Sequence, residues 1–371
     1  MEITINKEEL LKGLTKVQTV IERRSSMPIL SNAMFDATQD GLIIYATDLE
    51  ISFEGYYTAD VHQPGRLTIP AHTLYQIVRE LPGDEIYLKE KENQQLHITS
   101  GKANYNLLGL VADEFPAMPL IDDMAYLPMD ALVLKEMIDK TIFSISKAET
   151  RFNLAGLFVQ KRKPEEKFVL RFVSTDGHRL SLIDRVIEGM DNFKLNSGAL
   201  IPRKGVEEMR RLASEGGNLY FGVNSTFAVL KKEHAKLILR LQEGSFPDYE
   251  AVIPKSLGKV IKISRLDFAE VLKRVAIMAA GSFNGVRFSF NDGLLELFSQ
   301  KPQVGDSHES LAVDYSGENF QAAFDYSYFS DVCSAMRSDI LNITFIDDQN
   351  PCVLRGEGDP GFLSVIMPMR L

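Results

Sequence analysis

The chain has 371 residues, 45% of them hydrophobic, and a formal net charge of −10. That length suits two or three domains, and the acidic balance argues against a protein that grips nucleic acid through an overall basic surface. Its two cysteines, Cys333 and Cys352, exclude a disulfide framework and are expected to be small buried apolar residues.

From the amino terminus, Met1-Glu-Ile-Thr-Ile-Asn-Lys7 starts in strand-like alternation with no apolar core of signal-peptide length. No run approaches the ~18 apolar residues of a membrane span, so the expected location is the cytoplasm, with no membrane partner. Leu10, Leu14, Val17 and Ile21 fall on one helical face. The same spacing returns at Leu134, Ile138, Thr141 and Ile145, and again at Phe268, Leu272, Val275 and Ala279. A strand-like run precedes each helix (3–5, 127–134, 260–263), and alternating strands follow at 41–48, 168–176 and 293–299. The pair Thr47-Asp48 recurs as Thr175-Asp176.

Each copy has a second half. Residues 67–70 lead into a helical 73–81, 199–202 into 206–212, and 322–324 into 328–336. Phe115-Pro116 and Phe246-Pro247 close the first two copies. A period of about 130 residues is too long for a solenoid and means tandem domains. Pro119, Pro128, Pro254 and Gly258 punctuate the chain, which places the domains at 1–126, 127–257 and 258–371. Each is expected to be two helices packed on one face of a mostly antiparallel sheet, an α+β plan.

The richest stretch is Phe172-Val-Ser-Thr-Asp-Gly-His-Arg-Leu-Ser-Leu182. Asp176-Gly177 between alternating runs predicts a hairpin, because glycine accepts the positive φ of such a turn. His178, Arg179 and Leu180 then present an imidazole, a cation and an apolar group in a row. Ser174, Asp176 and His178 are the residue types of a hydrolytic relay, yet they alternate along a hairpin and no G-x-S-x-G elbow occurs. Gly356-Glu-Gly-Asp-Pro-Gly361 matches a dinucleotide fingerprint letter by letter, but Pro360 and a strand-like 362–366 follow it, so a loop between strands is expected. Asp122-Asp123 and Asp347-Asp348 read as solvated turn charges rather than magnesium ligands. Arg23-Arg24 ends the first predicted helix, where cations suit the dipole and where a phosphate contact is the competing role. The apolar terminus Val365-Ile-Met-Pro-Met-Arg-Leu371 is expected to be tied into a sheet or to wall an adaptable pocket.

Three tandem repeats, with Thr175-Asp-Gly-His-Arg-Leu180, Ile201-Pro-Arg-Lys-Gly205, Phe246-Pro-Asp-Tyr249, Gly285-Val-Arg287 and Met367-Pro-Met-Arg-Leu371 in that order, together resemble the bacterial DNA polymerase III beta subunit family of replicative sliding clamps. The resemblance covers essentially the whole chain. It implies three tandem clamp domains, closed head to tail with a second copy into a ring around double-stranded DNA. It also implies a non-catalytic processivity factor with no cofactor. Implied partners are the replicative polymerase alpha subunit, an ATP-driven clamp loader, and other polymerases and repair proteins with clamp-binding peptides.

Carried over position by position, the partner-peptide cleft comprises Arg151, Leu154, Thr175, Gly177, His178, Arg179, Leu180, Pro247, Val252, Val365, Met367, Pro368, Met369, Arg370 and Leu371. The chain departs from the family pattern at Ala251 and Pro351, which puts pocket shape in question there. The implied dimer contact joins Tyr105 and Leu107 to Ile277 and Met278 of the other copy, and the implied DNA contacts are Arg24, Phe152, Arg203 and Lys204. The helices predicted over 7–24, 71–81, 135–149, 202–214, 265–278 and 325–338 hold 17 Lys and Arg against 13 Asp and Glu, leaving −14 elsewhere. A ring held by topology needs only weak phosphate contacts, so the acidic total is compatible with the resemblance. Two other classes stay open at this point: a hydrolase built on Ser174, Asp176 and His178, and a scaffold that never encircles DNA.

Overall fold

The computed structural model describes residues 1–21, 27–121, 124–148, 150–164, 166–195, 197–254, 258–279 and 284–370. Several of its helices open beside a short polar side chain that takes up a free amide of the first turn. Helix α1 spans Lys7–Val20, with the Asn6 side chain accepting the Glu8 amide, and it buries Leu10, Leu14 and Val17. Gly13 lies on the same face, where a Cβ would come within 2.8 Å of both Ile44 and Tyr57. Helix α2 is Ala71–Glu80. Helix α3 covers Ala131–Asp139, not the predicted 135–149. Asp130 accepts the Leu132 amide at 2.7 Å and opens the helix early, cutting the strand-like run at 130. Thr141 closes it, its hydroxyl bonding back to the Met137 carbonyl at 2.8 Å. A short 3-10 turn, Ile142–Ser144, follows, so Ile145 lies beyond the helix. Helices α4 (Arg203–Ala213), α5 (Arg265–Ala279) and α6 (Tyr326–Ala335) agree with expectation to within a few residues. The first helix stops at Val20 rather than 24; Arg24 lies outside the described residues.

Among the described residues, four antiparallel sheets carry these helices. A five-stranded sheet runs in the order Ala59–Gln63, Glu2–Asn6, Glu85–Glu90, Gln95–Ser100, Ala103–Leu108. An eight-stranded sheet contains 126–130, 218–223, 227–232 and 235–240, then 51–57, 41–47, 32–38 and 65–70. It crosses between the first and second repeats where Leu237 pairs with Phe53 and Leu239 with Ile51. A second eight-stranded sheet crosses between the second and third repeats in the same manner, pairing Leu180 with Val365 and Leu182 with Leu363. The last sheet has four strands, Gly305–Ala312 at one edge and Phe320–Asp325 at the other.

By packing, the chain divides into two compact units that cut through the second repeat. The first comprises Met1–Leu132, Asn192–Lys194 and Glu207–Leu241; the second comprises Val133–Asp191, Leu195–Val206 and Gln242–Leu371. The second unit has an aromatic core around Phe288, whose ring lies 5.0 Å from Phe329 and 5.3 Å from Phe324. Burying each such side chain contributes roughly 1.5–3 kcal/mol. Among the described residues, no helix is long and apolar enough to cross a membrane.

Candidate functional site

Strands Val169–Thr175 and Arg179–Arg185 pair from Leu170 with Arg185 up to Thr175 with Leu180. Gly177, in the turn between them, has φ +90°, a left-handed backbone that favours glycine. The turn is built by its own flanks. Asp176 Oδ1 accepts the His178 and Arg179 amides at 3.0 and 3.1 Å. Thr175 Oγ1 accepts the Gly177 amide at 3.1 Å and donates to the Arg179 carbonyl at 2.6 Å. Both polar side chains are thus engaged locally, and the exposed His178 ring is what the turn presents. The first repeat builds the same turn: Asp48 Oδ1 accepts the Glu50 and Ile51 amides, and Thr47 accepts the Leu49 amide.

Arg179 points inward from this turn, its side chain only 9% exposed. Nε donates to Asp176 Oδ2 at 3.0 Å and Nη1 to Asp331 Oδ2 on α6 at 2.6 Å. Nη2 donates to the Phe143 carbonyl, and the guanidinium carbon lies 4.5 Å from the Tyr328 ring centroid and 5.4 Å from that of Phe143. Beside the turn, Arg151 Nη1 donates to the Asp176 carbonyl at 2.7 Å, and Leu154 reaches to within 4.0 Å of where a Gly177 Cβ would stand.

The floor beneath is apolar. Leu180 and Val365 are buried with Val173, Leu182, Val353 and Tyr249, and Phe246 and Ile253 pack against them. Tyr249 opens a short 3-10 turn to Val252, so the buried ring holds the exposed Val252 and, two residues earlier, the exposed Pro247 near this floor. Ala251 is exposed and Pro351 half-buried. The terminal tail leaves the sheet at Met367, whose amide donates to the His178 carbonyl at 2.9 Å. Two residues on, the Met369 amide donates to the Ala323 carbonyl at 2.7 Å, pinning the tail to Phe320–Asp325. Met367 and Arg370 stay exposed, with Pro368 and Met369 half-buried between them. A cavity of about 540 Å³ runs along this tail, lined in part by Arg287, Gln321, Gln349 and Met369. All of these residues belong to the second compact unit. Leu371 lies outside the described residues.

Comparison with known proteins decides the family. The three domain profiles of the DNA polymerase III beta subunit match in order: N-terminal at residues 1–119, central at 128–248 and C-terminal at 250–370. The chain belongs to the DNA polymerase III beta subunit family. It is 37% identical over 377 residues to the beta sliding clamp of Caulobacter vibrioides, covering both chains completely. The Pseudomonas putida beta sliding clamp is 30% identical, again over the full length of both. Among solved structures, Caulobacter crescentus pol III beta superposes with a TM-score of 0.95 at 35% identity, covering 100% of each chain. A Bartonella birtlesii DnaN sliding clamp bound to griselimycin superposes with a TM-score of 0.94 at 32% identity and the same coverage.

Other residues carried over from the DNA polymerase III beta subunit family stand as follows. Tyr105 and Leu107 pair with the buried Ile98 and Leu96, so they continue a core face out to an open sheet edge. On α5, Ile277 is 68% exposed and Met278 half-buried. Phe152 is exposed and Lys204 half-buried. Arg203 turns its guanidinium toward the Ile142 and Ile145 carbonyls at 3.4 and 3.3 Å. Several of the counted helical cations are paired, Lys16 with Glu215, Arg79 with Glu80 and Arg274 with Glu309.

Ser174, Asp176 and His178 do not assemble a relay. The Ser174 side chain is buried and donates to the Thr141 carbonyl, and Asp176 is engaged by the turn. Among the described residues no group of three or more His, Cys, Asp or Glu could hold a metal.

The sequence reading missed two clusters. One is Phe143, Tyr328 and Asp331 around Arg179; its only local signal was the i, i+3 spacing of Tyr328 and Asp331. The other centres on Lys140, whose buried ammonium pairs with Asp359 and, at 2.9 Å, with Glu136. Asp359 also accepts the Arg337 and Ser338 amides at 2.9 and 2.7 Å. The fingerprint-like segment is a loop between strands, as expected, and through Asp359 it also anchors the end of α3.

Proposed function

We propose that two copies of this chain close head to tail into a ring around duplex DNA, acting as the cytoplasmic, non-catalytic processivity factor of the replicative polymerase. In this reading the clamp domains are 1–126, 127–257 and 258–371. The clamp loader opens the ring, and the polymerase alpha subunit and other clamp-binding proteins dock short peptides between the second and third domains. The full-length relatives named as beta sliding clamps support the function. The carrying observation is the way repeats are joined. Both junctions within the chain are continuous antiparallel sheets, and the two sheets that stay within a single repeat each present an edge strand for a further joint, Ala103–Leu108 in the first repeat and Gly305–Ala312 in the third. Pairing those edges between two copies repeats the same joint a third time and covers Tyr105, Leu107, Ile277 and Met278. A heterologous contact of this kind closes when the rotation is right.

For the peptide site, the reading rests on an apolar floor at Leu180 and Val365 beside exposed Met367, Val252 and Pro247, a shape suited to one or two apolar anchors. For DNA, Phe152 and Lys204 are the proposed direct contacts, with Arg203 shaping the backbone next to them.

The test is retention. Protein loaded by clamp loader and ATP onto nicked circular DNA should survive a wash at salt that screens phosphate contacts, then leave once the circle is cut. Equal, salt-sensitive loss from circular and linear DNA, or a native mass equal to one chain, would instead favour a scaffold that never encircles DNA.

A further inference from the structure

We propose that Asp331 is a positioning residue for peptide docking, acting through Arg179 without touching the peptide. The inference rests on the docking reading above and adds to it the part that sets the site's shape. Arg179 follows His178 directly and pairs with Ile366, next to Met367. Its guanidinium has three anchors: Asp176 in the turn, the Phe143 carbonyl in the 3-10 turn after α3, and Asp331 on α6. Two rings, Phe143 and Tyr328, lie against it. A planar fork held this way fixes direction as well as distance, which a lysine would not do.

The tail is attached at both ends of this arrangement. Met367 bonds to the His178 carbonyl, and Met369 bonds to Ala323, on the strand that Asp325 closes before α6. Asp325 caps that helix by accepting the Ser327 amide at 2.8 Å. The turn, the tail and α6 thus form one closed loop of contacts, and the Arg179–Asp331 pair is the charged link in it, beside the Tyr328 ring. The Asp331 side chain is 44% exposed, so replacing it leaves no large hole in the core.

The test uses the full-length dimer and a fluorescein-labelled peptide from the polymerase alpha subunit. Asp331→Asn should weaken binding about fivefold or more, because charge-assisted bonds are roughly twice as strong as neutral ones. Asp331→Glu should restore most of the affinity. Thermal midpoint and sedimentation should match the parent in both variants, since a purely structural defect would move them together with affinity. A second readout needs no peptide: with methyl-labelled methionine, Asp331→Asn should shift the Met367 and Met369 signals. Parent-like affinity and unmoved methyl signals in Asp331→Asn would overturn the proposal. If the parent fails to bind the peptide while the methyl signals do move, the docking reading fails and the positioning link stands.

Discussion

Leu49 and Gly177 hold the same place in the same turn of two repeats, at φ +77° and +90°. A left-handed backbone costs a residue with a Cβ about 1–2 kcal/mol, whereas glycine loses ~0.5–1 kcal/mol more chain entropy on folding. Gly177→Ala should therefore destabilise by about 1 kcal/mol, and Leu49→Gly, at an exposed position, should stabilise by up to about 1 kcal/mol. Urea melts of the two variants check the opposite signs; two changes of the same sign would show that the turns are not equivalent. Cysteine gives a second residue-level expectation. Burial pushes the Cys333 thiol up to about 12 and the Cys352 thiol higher still. Neither should react with iodoacetamide in the folded protein, and mass spectrometry after a native pulse should find both unlabelled.

Between elements, the Lys140 cluster ties the end of α3 to the loop before the last strand. Burial pushes the Glu136 and Asp359 carboxyls up, but their hydrogen-bond and charge partners, Lys140 first among them, together more than reverse this. Arg185 assists at Glu136, and the Ser338 and Arg337 amides assist at Asp359, so both carboxyls lie below the usual carboxylate range. Groups depressed on folding stabilise fully above their unfolded pKa, and the contribution is lost as pH falls through the folded value. Asp359→Asn should cost about 3–5 kcal/mol at pH 7, because it leaves a buried ammonium short of a partner. The gap from the parent should narrow by pH 3, and an equal gap at both pH values in urea melts would count against this account. The tail is the other link between elements. Removing Met367 to Leu371 should weaken peptide binding tenfold or more by anisotropy while leaving the dimer intact by sedimentation.

At the scale of the molecule, the proposed ring joins edge strands through a few apolar side chains. Ile277→Asp should give a folded monomer at low micromolar concentration, since an unpaired charge in an apolar contact costs several kcal/mol of association. A parent-like dimer by analytical ultracentrifugation would place the joint elsewhere. Helical period, alternation and turn chemistry act over a few residues, so the threefold repeat, the six helices of the described residues and the hairpin at Asp176-Gly177 were already legible in the chain. The sequence also marked the tail as unusual, since an exposed apolar chain end is costly. That Leu237 pairs with Phe53 and Leu182 with Leu363, so that the repeats share sheets, emerged from the folded chain alone. Backbone hydrogen bonds carry no residue identity, so a strand's sequence does not name its distant neighbour. Long-range charge pairs behave alike: Lys140 meets Asp359 and Arg179 meets Asp331 only after folding brings them together. Even helix ends were partly tertiary, for α3 yields at Thr141, whose neighbours Phe143 and Ser144 are held by Arg179 and Ser181 from the strand beside it.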